Sequence, residues 1–208
     1  MESLQRVTGI AAPLMYANVD TDQIIPTRFL ARLSEEGIGE GLFAEWATRG
    51  DGSLQPDFLL NQAPWNHAGI LLAGPMFGCG SSREAAPRAL RERGFRAVIA
   101  PSFGDIFFSN CFRNGIVPVR LPEATVQALA ERMHREREDE ARCVLTVSLE
   151  ESTVTVPATG EVHAFTVPPL LRRMLLEGLD EIALTRTHRS DIDHYRVADR
   201  RRRPWAYL

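Results

Sequence analysis

Three short apolar runs, Gly69–Ala73, Ala97–Ala100 and Ile116–Leu121, follow one another with helix-like segments between them. Runs this short and this continuously apolar fit strands buried inside a sheet. The first gap holds a glycine-rich segment, Gly74–Gly80, and then a helix expected from about Glu84 to Arg93. Pro87 is compatible with that helix only in its first turn, where a missing N–H costs little. The second gap, Ser102–Asn114, reads as a helix closed by Gly115. Strand–helix–strand spacing of this kind predicts a βαβ unit and constrains the chain to the α/β class.

The flanks are read around that unit. Val126, Leu129, Ala130 and Met133 recur at helical spacing with charges between them. Val144–Val156 and Val162–Val167 alternate as strands, and Pro169 opens a helix that Gly178 ends. The tail from Ser190 to Arg203 is polar and helical in pattern. Residues 1–66 are dense in turn signals (Asn18–Asp22, Pro26, Gly37, Gly39, Gly41, Thr48–Gln55) and read as a long irregular N-terminal segment. Irregular chain this extensive points to function or to a partner surface. With no internal repeat or low-complexity linker, the expectation is one domain over 1–208, with a C-terminal tail from about residue 188.

Composition removes several function classes. With 24 basic and 27 acidic residues the net charge is -3, so charge implies no polyanion-binding surface, and Arg200–Arg203 reads as a solvated end rather than a nucleic-acid site. Cys79, Cys111 and Cys143 are widely spaced and contain no C-x-x-C pair. Neither a disulfide framework nor a self-contained zinc or iron–sulfur site fits that spacing, which leaves thiols in a reducing cytosol. The opening residues lack the apolar stretch of a signal peptide, and runs such as Ile70–Ala73 are far too short to cross a bilayer. The expected location is the cytoplasm, with no membrane partner.

The chemistry is concentrated in Gly78-Cys79-Gly80-Ser81-Ser82-Arg83-Glu84, between a strand and a helix. Glycines let a ligand approach the main chain, and the helix behind them offers unpaired N–H groups to a carboxylate. Arg83 adds a planar fork for bidentate carboxylate binding, beside the hydroxyls of Ser81 and Ser82. No lysine follows the last glycine as in a nucleotide-phosphate loop, and Arg83 stands where a hydrolase elbow needs glycine. The third glycine of a dinucleotide fingerprint is also missing. An anion-binding loop and a tight structural turn with a capped helix both remain open. A second cluster, Asn18-Val19-Asp20-Thr21-Asp22-Gln23-Ile24-Ile25-Pro26, lacks the further ligands of a calcium loop. Its plainer reading is a turn in which Asp20 or Asp22 caps local backbone.

Taken together, N-V-D-T-D-Q-I-I-P, F-G-C-G-S-S-R-E and G-F-R-A-V-I-A-P-S-F-G-D-I-F resemble the small swivelling domain of the aconitase superfamily, in its free-standing isopropylmalate dehydratase small-subunit branch. The likeness continues through Phe58–Asn61 and Gly178–Thr185, and so covers nearly the whole chain. It implies a single β/β/α domain like the fourth domain of aconitase. It also implies a hydro-lyase that isomerises 2-isopropylmalate to 3-isopropylmalate by dehydration and rehydration in leucine biosynthesis. The 4Fe-4S cluster would sit on a large-subunit partner, and this chain would bind no metal of its own. By position, Ser81 matches the family's serine base, with Asp22 beside it in a positioning or hydrogen-bonding role. Ser82 and Arg83 match carboxylate-binding groups, Thr21 belongs to the same T-D pair, and Phe29, Leu30 and Arg32 fall where relatives read the substrate's side group. Ala85 departs from the family's histidine after the glutamate. That departure admits another substituted malate of the citramalate or citraconate type, and a non-catalytic carboxylate-binding module is the alternative of a different class.

Overall fold

The strand that organises the molecule lies in the segment expected to be irregular. In the computed structural model, which describes residues 2–32 and 37–207 (backbone only for Ala31 and Arg32), β1 spans Arg6–Leu14. It sits at the centre of a seven-stranded sheet ordered β4-β3-β2-β1-β5-β6-β7. The other strands are β2 (Ile70–Ala73), β3 (Ala97–Ala100), β4 (Val117–Arg120), β5 (Val144–Ser148), β6 (Thr153–Val156) and β7 (Glu161–Ala164). Ala11–Leu14 pairs parallel with β2, whereas Arg6–Ile10 pairs antiparallel with β5. Burial follows that division: Ala11 to Leu14 are all buried, as in β2 and β3, while the β5-paired half is mixed. Gly9, Pro13 and two alanines break up the β-branched Val7, Thr8 and Ile10 and leave β1 without a regular alternation, which is why its sequence does not announce a strand.

The parallel half matches the βαβ expectation closely. Helix α3 (Ala85–Glu92) links β2 to β3, and α4 (Asp105–Arg113) links β3 to β4. Pro87 is in the first turn of α3, and Gly115 has φ +72 just beyond α4. Pro118 is tolerated because β4 is the sheet's edge strand. Helix α5 (Glu123–Arg135) packs across β1, β2 and β3 through buried Val126, Leu129, Ala130 and Met133.

In the antiparallel half, the stretch expected as one alternating strand from Val144 to Val156 is a hairpin. Ser152 has φ +53 in the turn, and its backbone carbonyl accepts from Phe165 N. Two short helices, α1 (Thr21–Ile24) and α2 (Ala44–Ala47), punctuate the N-terminal region. After the sheet come α6 (Pro169–Glu177), α7 (Glu181–Arg186) and α8 (Arg189–Arg202). Gly178, at φ +67, closes α6, and Asp180 caps α7 by accepting from Ala183 N at 2.6 Å. Among the described residues, no helix is long and apolar enough to cross a membrane.

Candidate active site

Strands β1, β2 and β3 run in one direction, so the loops that follow them gather at one carboxyl edge of the sheet, the place where open α/β sheets hold ligands. Two isolated parallel bridges, Asp20 with Cys79 and Phe77 with Phe103, extend the ladder past the strand ends and lock the loops together. Gly78 N donates to Val19 O at 2.7 Å, and Thr21 N donates to Cys79 O at 3.0 Å. The two motifs, about sixty positions apart in sequence, therefore share a backbone seam.

Gly78 is indispensable to that seam. Its φ is +71, and a Cβ there would sit 2.2 Å from Phe107 Cγ. Phe107 is held edge-on against Phe77, with ring centroids 5.5 Å apart. The aromatic floor beneath the loop thus requires glycine above it.

On this seam stand the charged groups. Asp20 is the capping carboxylate: it accepts from Gln23 N at 2.7 Å, and Gln23 Oε1 accepts from Asp20 N at 2.8 Å, a reciprocal box that starts α1. Asp22 is turned outward instead, and its Oδ1 lies 2.6 Å from Arg83 Nη2. The Thr27 hydroxyl donates to the same Asp22 oxygen at 3.0 Å and accepts from Arg83 Nη1 at 3.1 Å. Arg83 Nε is 3.5 Å from Ser81 Oγ, and the Thr21 hydroxyl donates to Ser81 O at 2.9 Å. The Arg83 side chain is 16% exposed and that of Asp22 54%, so the guanidinium is the enclosed member and the carboxylate faces out.

Of the residues singled out from sequence, Thr21, Asp22, Ser81 and Arg83 come together directly. Ser82 is exposed on the same loop, ahead of α3; Glu84 occupies the N-cap there and makes no side-chain capping bond. Phe29 and Leu30 are half-buried against the core, the Phe29 ring lying where a Cβ on Gly41 would strike it at 2.5 Å. The side chain of Arg32 lies outside the described residues. Thr27 was not singled out; a threonine after a proline carries no signal of its own until the fold sets it against Arg83. Ala85 is 2% exposed and belongs to the core. Tyr16, Met76 and Ile106, which follow β1, β2 and β3, expose apolar surface at this same edge.

Cys79 is half-exposed, its Sγ 3.4 Å from Asn18 O, while Cys111 and Cys143 are buried, and burial raises both their thiols above the usual range. Among the described residues, no group of three or more His, Cys, Asp or Glu side chains is placed to hold a metal ion. A cysteine-ligated cluster does not fit this donor set: Asp20 is spent on its cap, Asp22 on Arg83, and the thiols are dispersed.

A mixed sheet with a glycine-rich loop at the carboxyl edge of its parallel half defines the class. Residues 1–124 match the model of the aconitase C-terminal domain family, and the chain belongs to that family. Full-length relatives place it in the small-subunit branch. The chain is 50% identical over 210 residues to the 3-isopropylmalate dehydratase small subunit of Cupriavidus necator, covering 100% of this chain and 99% of the relative. It is 47% identical over 205 residues to the small subunit of the same name from Roseobacter denitrificans, covering 99% and 100%. The fold is shared with the crystal structure of 3-isopropylmalate dehydratase from Methanocaldococcus jannaschii, with a TM-score of 0.60 and 23% identity over 91% of this chain and 98% of that one.

Proposed function

We propose that this chain is the small subunit of a cytoplasmic hydro-lyase that interconverts 2-isopropylmalate and 3-isopropylmalate by dehydration and rehydration, in leucine biosynthesis. The observation that carries the reading is Arg83, positioned by Asp22 on one side and reaching Ser81 Oγ on the other, on a loop open to solvent. A large subunit would close the site, docking over the rim of Tyr16, Met76 and Ile106. A 4Fe-4S cluster on that subunit would supply the Lewis acid for the departing hydroxyl; the steps below are those of this chain's own residues.

Ser81 acts as the base. A serine hydroxyl is a poor one in water, and an adjacent guanidinium N–H lowers the cost of the alkoxide by stabilising its charge. Ser81 Oγ takes the proton from the carbon next to a substrate carboxylate. The freed electron pair forms the carbon–carbon double bond as the hydroxyl leaves the neighbouring carbon. In the second half, the departed hydroxide, or one exchanged for it from solvent, adds to the other alkene carbon, and Ser81 returns its proton to the carbon that lost the hydroxyl. Ser82 and the remaining donors of Arg83 hold the carboxylate. Thr21 fixes the Ser81 backbone, and Phe29 and Leu30 border the region where an isopropyl group would lie. Buried Ala85 supports reading the missing histidine as packing variation, which favours isopropylmalate over a smaller malate.

The test is anaerobic co-expression with the host's large subunit and an absorbance assay for alkene formation from 2-isopropylmalate and citramalate. Preferred turnover of 2-isopropylmalate, abolished by Ser81→Ala with complex formation intact, is expected. Preference for citramalate would move the enzyme to another substituted malate, and wild-type turnover by Ser81→Ala would remove the base assignment.

A further inference from the structure

We infer that Thr27 is a positioning residue for Arg83, fixing the rotation of its guanidinium and thereby deciding which N–H groups reach substrate. The inference rests on the dehydratase reading for its consequence, but its geometry stands apart from that reading. Thr27 begins the 3-10 turn Thr27–Arg32, directly after buried Pro26, whose carbonyl accepts from Phe29 N at 2.9 Å. Proline fixes its own φ, so the hydroxyl that follows is presented from stiff backbone.

That hydroxyl closes a ring. Arg83 Nη2 meets Asp22 Oδ1 at 2.6 Å, Thr27 Oγ1 donates to the same oxygen at 3.0 Å, and Arg83 Nη1 donates to Thr27 Oγ1 at 3.1 Å. A lone contact between Asp22 Oδ1 and one guanidinium nitrogen would leave Arg83 free to pivot. The second contact, through Thr27, removes that freedom, as bidentate pairing does elsewhere. A guanidinium has five N–H groups. Asp22, Thr27 and Ser81 engage one each, on Nη2, Nη1 and Nε, and one N–H is left on each terminal nitrogen for a substrate carboxylate. Thr27 thus acts on carboxylate binding through Arg83, without touching the reacting carbon.

Two measurements on Thr27→Val, with Thr27→Ser as the conservative rescue, test this. Thr27 is exposed, so neither substitution threatens the core, and unchanged thermal melting checks it. In the isolated chain, arginine side-chain NMR should show hindered rotation about Cζ–Nη1 of Arg83 in wild type and Thr27→Ser, and fast rotation about that bond in Thr27→Val. Equal mobility in all three overturns the inference, whatever the enzyme's substrate proves to be. In the assembled enzyme, Thr27→Val should raise KM for 2-isopropylmalate about tenfold, with kcat within about threefold, the loss expected from one misaligned charge-assisted bond. A KM within twofold of wild type overturns it too. Failure of the wild-type complex to turn over 2-isopropylmalate would count instead against the dehydratase reading, leaving the NMR result to decide Thr27.

Discussion

Replacing Gly78 by alanine should do two separable kinds of damage, and a second glycine measures one of them alone. At Gly78 the backbone is left-handed (φ +71), and an added Cβ would lie 2.2 Å from Phe107 Cγ and 2.5 Å from its Cδ1. Gly160, in the turn between β6 and β7, has nearly the same φ, +74, and a Cβ there would meet nothing within 4 Å. The left-handed conformation costs a non-glycine residue about 1–2 kcal/mol. Overpacking a filled core adds about 1–3 kcal/mol. Gly160→Ala therefore carries the first cost, and Gly78→Ala carries both, about 2–5 kcal/mol in all. In a chain of this size the melting temperature moves by roughly 2–4 °C per kcal/mol, so Gly78→Ala should melt about 4–20 °C lower than wild type. Urea titration followed by circular dichroism gives the free energies directly. The assembled enzyme should lose turnover with Gly78→Ala, because the displaced loop carries Ser81 and Arg83, and keep it with Gly160→Ala. Equal melting temperatures for the two variants would refute the claim that the Phe107 floor demands glycine.

Two more outcomes follow from the charged groups. Calorimetry should detect at most weak binding of dicarboxylates to the isolated chain, because the Arg83 charge is already matched by Asp22 and the site's other wall is absent; micromolar affinity would count against a split site. In the tail, Arg203 donates twice to Asp199, both at 2.7 Å, with Tyr207 Oη at 2.9 Å, and the Arg203 bonds lead in lowering the Asp199 carboxyl to about 2. A carboxyl lowered on folding contributes stability above its unfolded value, about 3.9, and loses it as pH falls toward the folded one. The clasp between α8 and the final turn Pro204–Tyr207 should accordingly open between about pH 4 and pH 2, seen at the Trp205 indole resonance, and Asp199→Asn should show no such transition.

How much of this was legible before the fold depends on whether the physics was local. β2, β3, α3, α4 and α5 declare themselves because apolar runs, helical spacing and proline or glycine punctuation are local signals, and the structure puts them where those signals do. β1 does not: its residues Gly9, Ala11, Ala12 and Pro13 have poor strand propensity, and they form a strand because β2 and β5 flank them on either side. The hairpin at Ser152 was hidden for the opposite reason, since strong alternation on both sides obscured the turn. Within the site, the S-S-R loop and the T-D pair were readable as motifs, and the proximity of Asp22 to Arg83 required the seam between their loops. Thr27 was invisible. Its importance lies wholly in a tertiary relation, two bonds to residues five and fifty-six positions away.

On the proposed reading, that relation also explains how such a site can be divided between chains. A guanidinium only 16% exposed is costly to leave unpaired, so a lone subunit must bring its own counter-charge. Asp22 provides it and, with Thr27, sets the orientation of the fork at the same time. The consequence is that the loop by itself is nearly neutral toward a dianion. What remains to attract substrate, on that reading, is directional: the residual donors of Arg83 and two serine hydroxyls. Directional groups bind weakly in open water and strongly once water is excluded, because their bonds are then no longer exchanged for solvent ones. On the proposed reading, the arriving large subunit activates this half of the site by excluding that water, without having to reorganise it.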